Sequence, residues 1–150
     1  MKNAFFALAV LLGLTTAQAA SLTAFTGKYS PRNCTIEGSR AYVSLAKDRS
    51  GRIQGLNLNF YGDDAALIEL TTRRSVTENP NFQFGNPVKT IIVDVDFDGV
   101  NLTNTITHLD RNGRKSFAGS QTLQLSERGL RYFETDQNHM VTERCILDRQ

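Results

Sequence analysis

Four groups of residues in this chain have types and spacing that could do chemistry. Asp94-Val95-Asp96-Phe97-Asp98-Gly99 runs three alternate carboxylates into a turn, the oxygen-rich pattern a hard cation asks for. A calcium loop of the helix-flanked kind would carry Glu where Thr105 stands and an apolar residue where Asn101 stands. The segment therefore reads as a solvated strand face entering a hairpin, with weak calcium binding as the lesser alternative. Asn104 and His108 share a period-two parity with Val100, Leu102 and Ile106, which aims both inward as polar fixtures that would orient a ligand in an apolar cavity. Asp63-Asp64 is an adjacent acid pair on a turn, which solvation alone explains. Nucleophilic catalysis would need a Ser or Cys beside a base, and neither Gly-x-Ser-x-Gly nor a Cys–His signature occurs. The two histidines, His108 and His139, have no carboxylate at metal-site spacing. The expectation is a non-enzyme with no cofactor and no metal.

The remaining reactive pair is Cys34 and Cys145, the only cysteines. Their chemistry depends on the compartment, which the N-terminus indicates. Lys2 is followed by an uncharged apolar run from Ala4 to Leu14 and by Ala17-Gln18-Ala19, an A-x-A cleavage pattern. Residues 1–19 are thus expected to be a cleavable signal peptide and residues 20–150 a single all-β domain, secreted or periplasmic and soluble. The apolar run is too short to span a bilayer, and no later run reaches spanning length. In an oxidising compartment an even cysteine count reads as a disulfide; two free thiols or a metal site are the alternatives. The net charge of +2 for the whole chain, with basic residues scattered, gives no electrostatic footprint for nucleic acid.

Strands must position these groups. Ile91, Val93, Val95 and Phe97 alternate with Asp94 and Asp96; Leu56, Leu58 and Phe60 alternate with Asn57 and Asn59; Val141, Cys145 and Leu147 share a parity. Turn signals separate the runs: Asp48–Gly51, Gly62-Asp63-Asp64, Asp98-Gly99, Arg111-Asn112-Gly113 and Arg128-Gly129. The spacing predicts about eight strands, from 22–30 to 140–147, with a bulge at Gly55, a bend at Gly119 and a loop from Asn79 to Pro87. Sequential hairpins with stapled ends favour a small antiparallel up-and-down β-barrel closed by one disulfide, ahead of a β-sandwich. A membrane barrel would show aromatic girdles, and this chain has no Trp and only four Tyr.

Ala24-Phe25-Thr26-Gly27-Lys28-Tyr29 resembles the opening strand of the calycins, the lipocalin, fatty-acid-binding and avidin-type barrels, with Tyr29 where that group has Trp. The resemblance implies a ligand-holding barrel whose first-strand aromatic, Tyr29, is covered by a basic side chain of the last strand, matched here by Arg144. On this reading Tyr29 joins Asn104 and His108 as a candidate ligand contact. The expected function is an exported, non-catalytic binding module for a small apolar or amphipathic ligand. The alternative is a secreted or periplasmic protein-interaction module, such as a hydrolase inhibitor.

Overall fold

The computed structural model describes residues 22–36, 38–62 and 65–150; the expected signal segment 1–19 and the Asp63-Asp64 pair lie outside them. Ten strands form one antiparallel sheet. They are β1 Gly27–Arg32, β2 Arg40–Lys47, β3 Ile53–Tyr61, β4 Ala66–Thr71, β5 Ser75–Glu78, β6 Val88–Phe97, β7 Asn101–Asp110, β8 Lys115–Ser126, β9 Gly129–Thr135 and β10 Val141–Arg149. Their order is β4-β3-β2-β1-β10-β9-β8-β7-β6-β5. Sequence neighbours pair throughout except at β4 and β5, while the first and last strands meet, with Tyr29 opposite Arg149 and Pro31 opposite Leu147. No ladder joins β4 to β5, so these two strands are the edges of an open sheet and ladder closure into a barrel is not present.

Cys34, just past β1, is bonded to Cys145 on β10, 111 residues away in sequence. The bond reinforces the contact that brings the two ends of the chain together. Among the described residues no helix is long and apolar enough to cross a membrane.

Three hairpins use one local device. In Asp48-Arg49-Ser50-Gly51-Arg52, the Asp48 carboxylate accepts from the backbone N–H of Ser50 at 2.8 Å and of Arg52 at 3.0 Å. Asp110 does the same for Asn112 (2.8 Å) and Arg114 (2.9 Å), and Asp136 for Asn138 (2.8 Å) and Met140 (2.9 Å). The fourth residue of each loop is left-handed: Gly51 at φ 81°, Gly113 at 75° and His139 at 61°. His139 takes up the left-handed conformation that favours glycine, and its ring stacks on Phe117, centroids 4.2 Å apart.

Both expected irregularities are present. The β2–β3 register shifts where Ala46 pairs Gly55 and Lys47 pairs Ile53, leaving Gln54 as the extra residue. The β7–β8 register shifts where Ile106 pairs Gly119 and Thr107 pairs Phe117. The expected first strand at 22–30 begins only at Gly27, because Leu22 and Thr23 start a helical turn closed by Phe25 N–H to Leu22 C=O and Thr26 N–H to Thr23 C=O, each 3.1 Å. The short strand β5 was not expected, and part of the expected 79–87 loop is a 3-10 turn, Pro80–Phe84.

That N-terminal turn packs into the core. Leu22 and Phe25 are buried in the same cluster as Tyr29, Val43, Leu56, Leu58, Phe60, Leu102, Leu123, Leu130, Tyr132 and Leu147. The Tyr29 hydroxyl donates to Phe25 C=O at 2.7 Å, and the Arg149 guanidinium donates to Tyr29 Oη at 2.9 Å and to Ala24 C=O at 2.5 Å. Its carbon lies 5.4 Å from the Tyr29 ring centre. The expected aromatic–arginine pair therefore forms with Arg149, not Arg144. Successive residues leave opposite faces of a strand, so Arg144 points away from the buried side that Cys145 faces, whereas Arg149 has the parity of Cys145 and Leu147.

Candidate functional site

Residues opposite one another across β10, β9, β8, β7 and β6 line up in rows. One inward row is Cys145, Tyr132, Leu123, Leu102 and Phe97, which belongs to the apolar core. The next inward row, two residues along each strand, is Glu143, Glu134, Gln121, Asn104 and Val95. Four polar side chains thus stand side by side at the margin of a packed core. Period-two alternation forces this placement: a residue two positions from a buried one has to face the same way.

Asn104 is 2% exposed and spends both ends of its amide on the free edge of β4. Thr71 N–H donates to Asn104 Oδ1 at 2.8 Å, and Asn104 Nδ2 donates to Thr71 C=O at 2.8 Å. The side chain gives Thr71 the donor and acceptor that a neighbouring strand would otherwise supply. A groove of about 410 Å³ runs along this seam between β3–β4 and β6–β8, lined by Gly55, Asn57, Leu70, Val93, Ile106 and Gln121 among others. Asn57 Oδ1 is buried there without a hydrogen-bond partner in the structure.

Glu134 is held by two donors, Gln121 Nε2 at 2.8 Å and the Tyr132 hydroxyl. Burial pushes the Tyr132 phenol well above its ordinary pKa, and the Glu134 carboxylate raises it further, so the hydroxyl stays a donor. Glu143 lies directly opposite Glu134, and among the described residues no donor reaches its carboxyl. Its pKa is raised by burial first and by the charge of Glu134 second. Like charges directly opposite on neighbouring strands are unfavourable, and a bound cation would relieve that repulsion. These two carboxyls line one wall of a cleft of about 540 Å³, whose other wall is Ile36, Ala66 and Ile68 with Thr35 and Ala65. The cleft has the geometry to grip an apolar stem on one side and a donor-bearing head on the other.

Of the candidate residues taken from the sequence, Asn104 lies in the polar row and at the seam groove. His108 is half-buried on the same face of β7, opposite Ile91 and Ser116. Tyr29 is apart from both, fully buried beside the N-terminal turn, with its hydroxyl taken by Phe25 and Arg149. Asp94 pairs with Arg74 at 2.8 Å, and Asp98 accepts from Val100 N–H, Asn101 N–H and Asn101 Nδ2 inside its own turn. Among the described residues no cluster of three His, Cys, Asp or Glu side chains could hold a metal ion. The sequence reading missed Gln121, Glu134 and Glu143. Glu143 carried a signal, because it shares the parity of Cys145 and Leu147.

No family model, no curated protein and no solved structure matches this chain.

Proposed function

We propose that this chain is an exported, non-catalytic binding module whose sheet curls into a calycin-like barrel, and that its cleft takes a small amphipathic molecule with a cationic head. The observation that carries the reading is the unpartnered Glu143 facing Glu134 across from the apolar wall of Ile36, Ala66 and Ile68. A cleft of about 540 Å³ is in the range of small-molecule sites, which are mostly apolar with a few placed polar groups. The remainder of the interior is packed by Tyr29, Tyr132, Phe25, Phe60 and leucines, so a ligand would sit at the margin of the core. The Cys34–Cys145 bond fits an oxidising compartment.

The test is calorimetric titration with octylamine and, in parallel, octanoate, which share a stem and differ in head charge. Octylamine is expected to bind saturably and octanoate not to. Glu143→Gln should weaken the amine by roughly tenfold, the scale of losing one partly desolvated charge-assisted contact. No saturable amine binding, or equal binding of the carboxylate, would overturn the reading.

A second reading, a protein-interaction module, is favoured by the 79–87 connection. Phe84 is 85% exposed at the end of the Pro80–Phe84 turn. Asn79 braces that turn, accepting from Asn81 N–H and donating to Val88 C=O, each at 3.0 Å, and Arg111 lies 5.3 Å from the Phe82 ring centre. A rigid loop presenting one aromatic suits a protein pocket. Capture of a stoichiometric partner that Phe84→Ser abolishes, with octylamine inert, would replace the first reading by this one.

A further inference from the structure

We propose a second, independent binding site on the outer face of β1–β3, for carboxylated sugar units of an acidic polysaccharide. Tyr42 on β2 lies opposite Lys28 on β1 and opposite Asn59 on β3, and Arg40 on β2 lies opposite Tyr61 on β3. Arg40 and Tyr42 are two residues apart on one strand, as are Asn59 and Tyr61, so these side chains share a face. The two tyrosines are diagonal neighbours, each with a cation directly across from it, and Asn59 sits between.

Both rings are open to solvent, Tyr42 at 40% and Tyr61 at 51%. They line a cleft of about 540 Å³ with Lys28, Arg40 and Gln150. Among the described residues neither Lys28 nor Arg40 takes part in an ion pair; the pairs there involve Arg32, Arg74 and Arg114. Neither cation lies over a tyrosine of this cleft, since the guanidinium–ring contacts are Arg111 on Phe82 and Arg149 on Tyr29. The ring faces and the charges are therefore both free for a ligand.

Exposed aromatic rings stack on the C–H faces of a pyranose, and two diagonal rings suit successive units of a chain. Lys28 and Arg40 supply the counter-charge for carboxylates, while the Gln150 amide, whose Nε2 also donates to Ser30 Oγ at 2.8 Å, supplies a partner for hydroxyls, with Asn59 beside the cleft on the same face. A lipid surface fits less well. The cleft is lined by charged, amide and phenol groups, and the exposed aliphatic Leu67 lies to one side of it, on β4 across Asn59 from Tyr42.

The chain carries its own reporter. It has no Trp and four Tyr, of which Tyr29 and Tyr132 are buried, so solvent-exposed tyrosine emission comes from this cleft. The folded protein is titrated with oligogalacturonate, with its methyl ester and with vesicles of anionic phospholipid, following tyrosine fluorescence. Oligogalacturonate is expected to give a saturable change that weakens as salt rises. The methyl ester should bind roughly tenfold more weakly, since two exposed charge contacts are lost. Tyr42→Ser with Tyr61→Ser should abolish binding measured by calorimetry. Lys28→Gln with Arg40→Gln, which leaves the rings in place, should reduce it to the level of the ester, and Glu143→Gln should leave it unchanged. No saturable response to oligogalacturonate, equal binding by the ring-free variant, or a response to vesicles alone would overturn the proposal.

Discussion

Removing the Asn104 side chain is the sharpest way to ask what holds the open seam. Asn104→Ala takes away two hydrogen bonds of 2.8 Å at once, one donated by Thr71 N–H to Asn104 Oδ1 and one donated by Asn104 Nδ2 to Thr71 C=O. Each is worth about 1 kcal/mol net, and an orphaned partner adds a penalty that is partly relieved where water can reach it. Thr71 is half-buried, so the loss comes to about 2–3 kcal/mol. At about 4 °C per kcal/mol for a domain of this size, the melting temperature should fall by about 10 °C. Asn104→Asp gives a distinguishing signature. The new carboxylate still accepts from Thr71 N–H but faces Thr71 C=O without a proton to offer, at a position only 2% exposed. Its folded pKa should rise above the unfolded value, so the variant's stability is retained below about pH 4 and lost as pH climbs through the folded pKa. Urea unfolding from pH 3 to 8 and hydrogen exchange at the Thr71 amide check this. A loss under about 0.5 kcal/mol for Asn104→Ala with Thr71 exchange unchanged, or an Asn104→Asp profile parallel to wild type, would refute the role of the amide as the seam's lock.

Other outcomes follow from the same rows and turns. Glu143 has a raised pKa, so the stability linked to its protonated form is present at acid pH and lost as pH rises through the folded value; Glu143→Gln should raise the melting temperature at pH 7 and leave it unchanged near pH 3. Asp48 is held down to about 2 by the Ser50 hydroxyl first and the Arg52 amide next, so its contribution is present above about pH 4 and lost as pH falls through about 2. Asp48→Asn should flatten the acid limb of a thermal-melt pH profile over that window. Gly55→Ala puts a Cβ against the Leu70 carbonyl, and the resulting overpacking should cost roughly 1–3 kcal/mol in urea unfolding. Replacing both cysteines by Ser releases a link spanning 111 residues and should lower the urea midpoint, by up to about 4–5 kcal/mol of stability on chain-entropy arithmetic; an unchanged midpoint would refute that constraint on the unfolded chain.

Much of this architecture is legible along the chain. Alternation and the Asp48–Gly51 and Arg111–Gly113 turn signals locate most strands, since pleat parity and left-handed glycines are local properties. The 136–140 turn falls in the gap expected before the last strand, but with His139 in place of glycine its aspartate device does not stand out as a turn signal. β5 escapes notice because four residues alternate too briefly to stand out, and its partner β6 is supplied by long-range pairing.

The polar row was only half legible. Parity shows that Asn104 and Glu143 face inward, yet which side chains become neighbours depends on the register of four strands, and register is set by bulges and loop lengths together. The same holds for the arginine over Tyr29, where the β1–β10 pairing brought Arg149 rather than Arg144 to the ring.

Most of the strands, the alternation of faces within each and the expectation of a Cys34–Cys145 bond come from the amino-acid sequence alone, because they follow from the period-two pleat, the turn residues and a count of two thiols. The tertiary structure alone decided that the sheet parts between β4 and β5, that an asparagine side chain bonds the free edge there, and that two glutamates face each other beside an apolar wall. Those features depend on how far the sheet twists and curls, a sum over all ten strands that no local segment encodes.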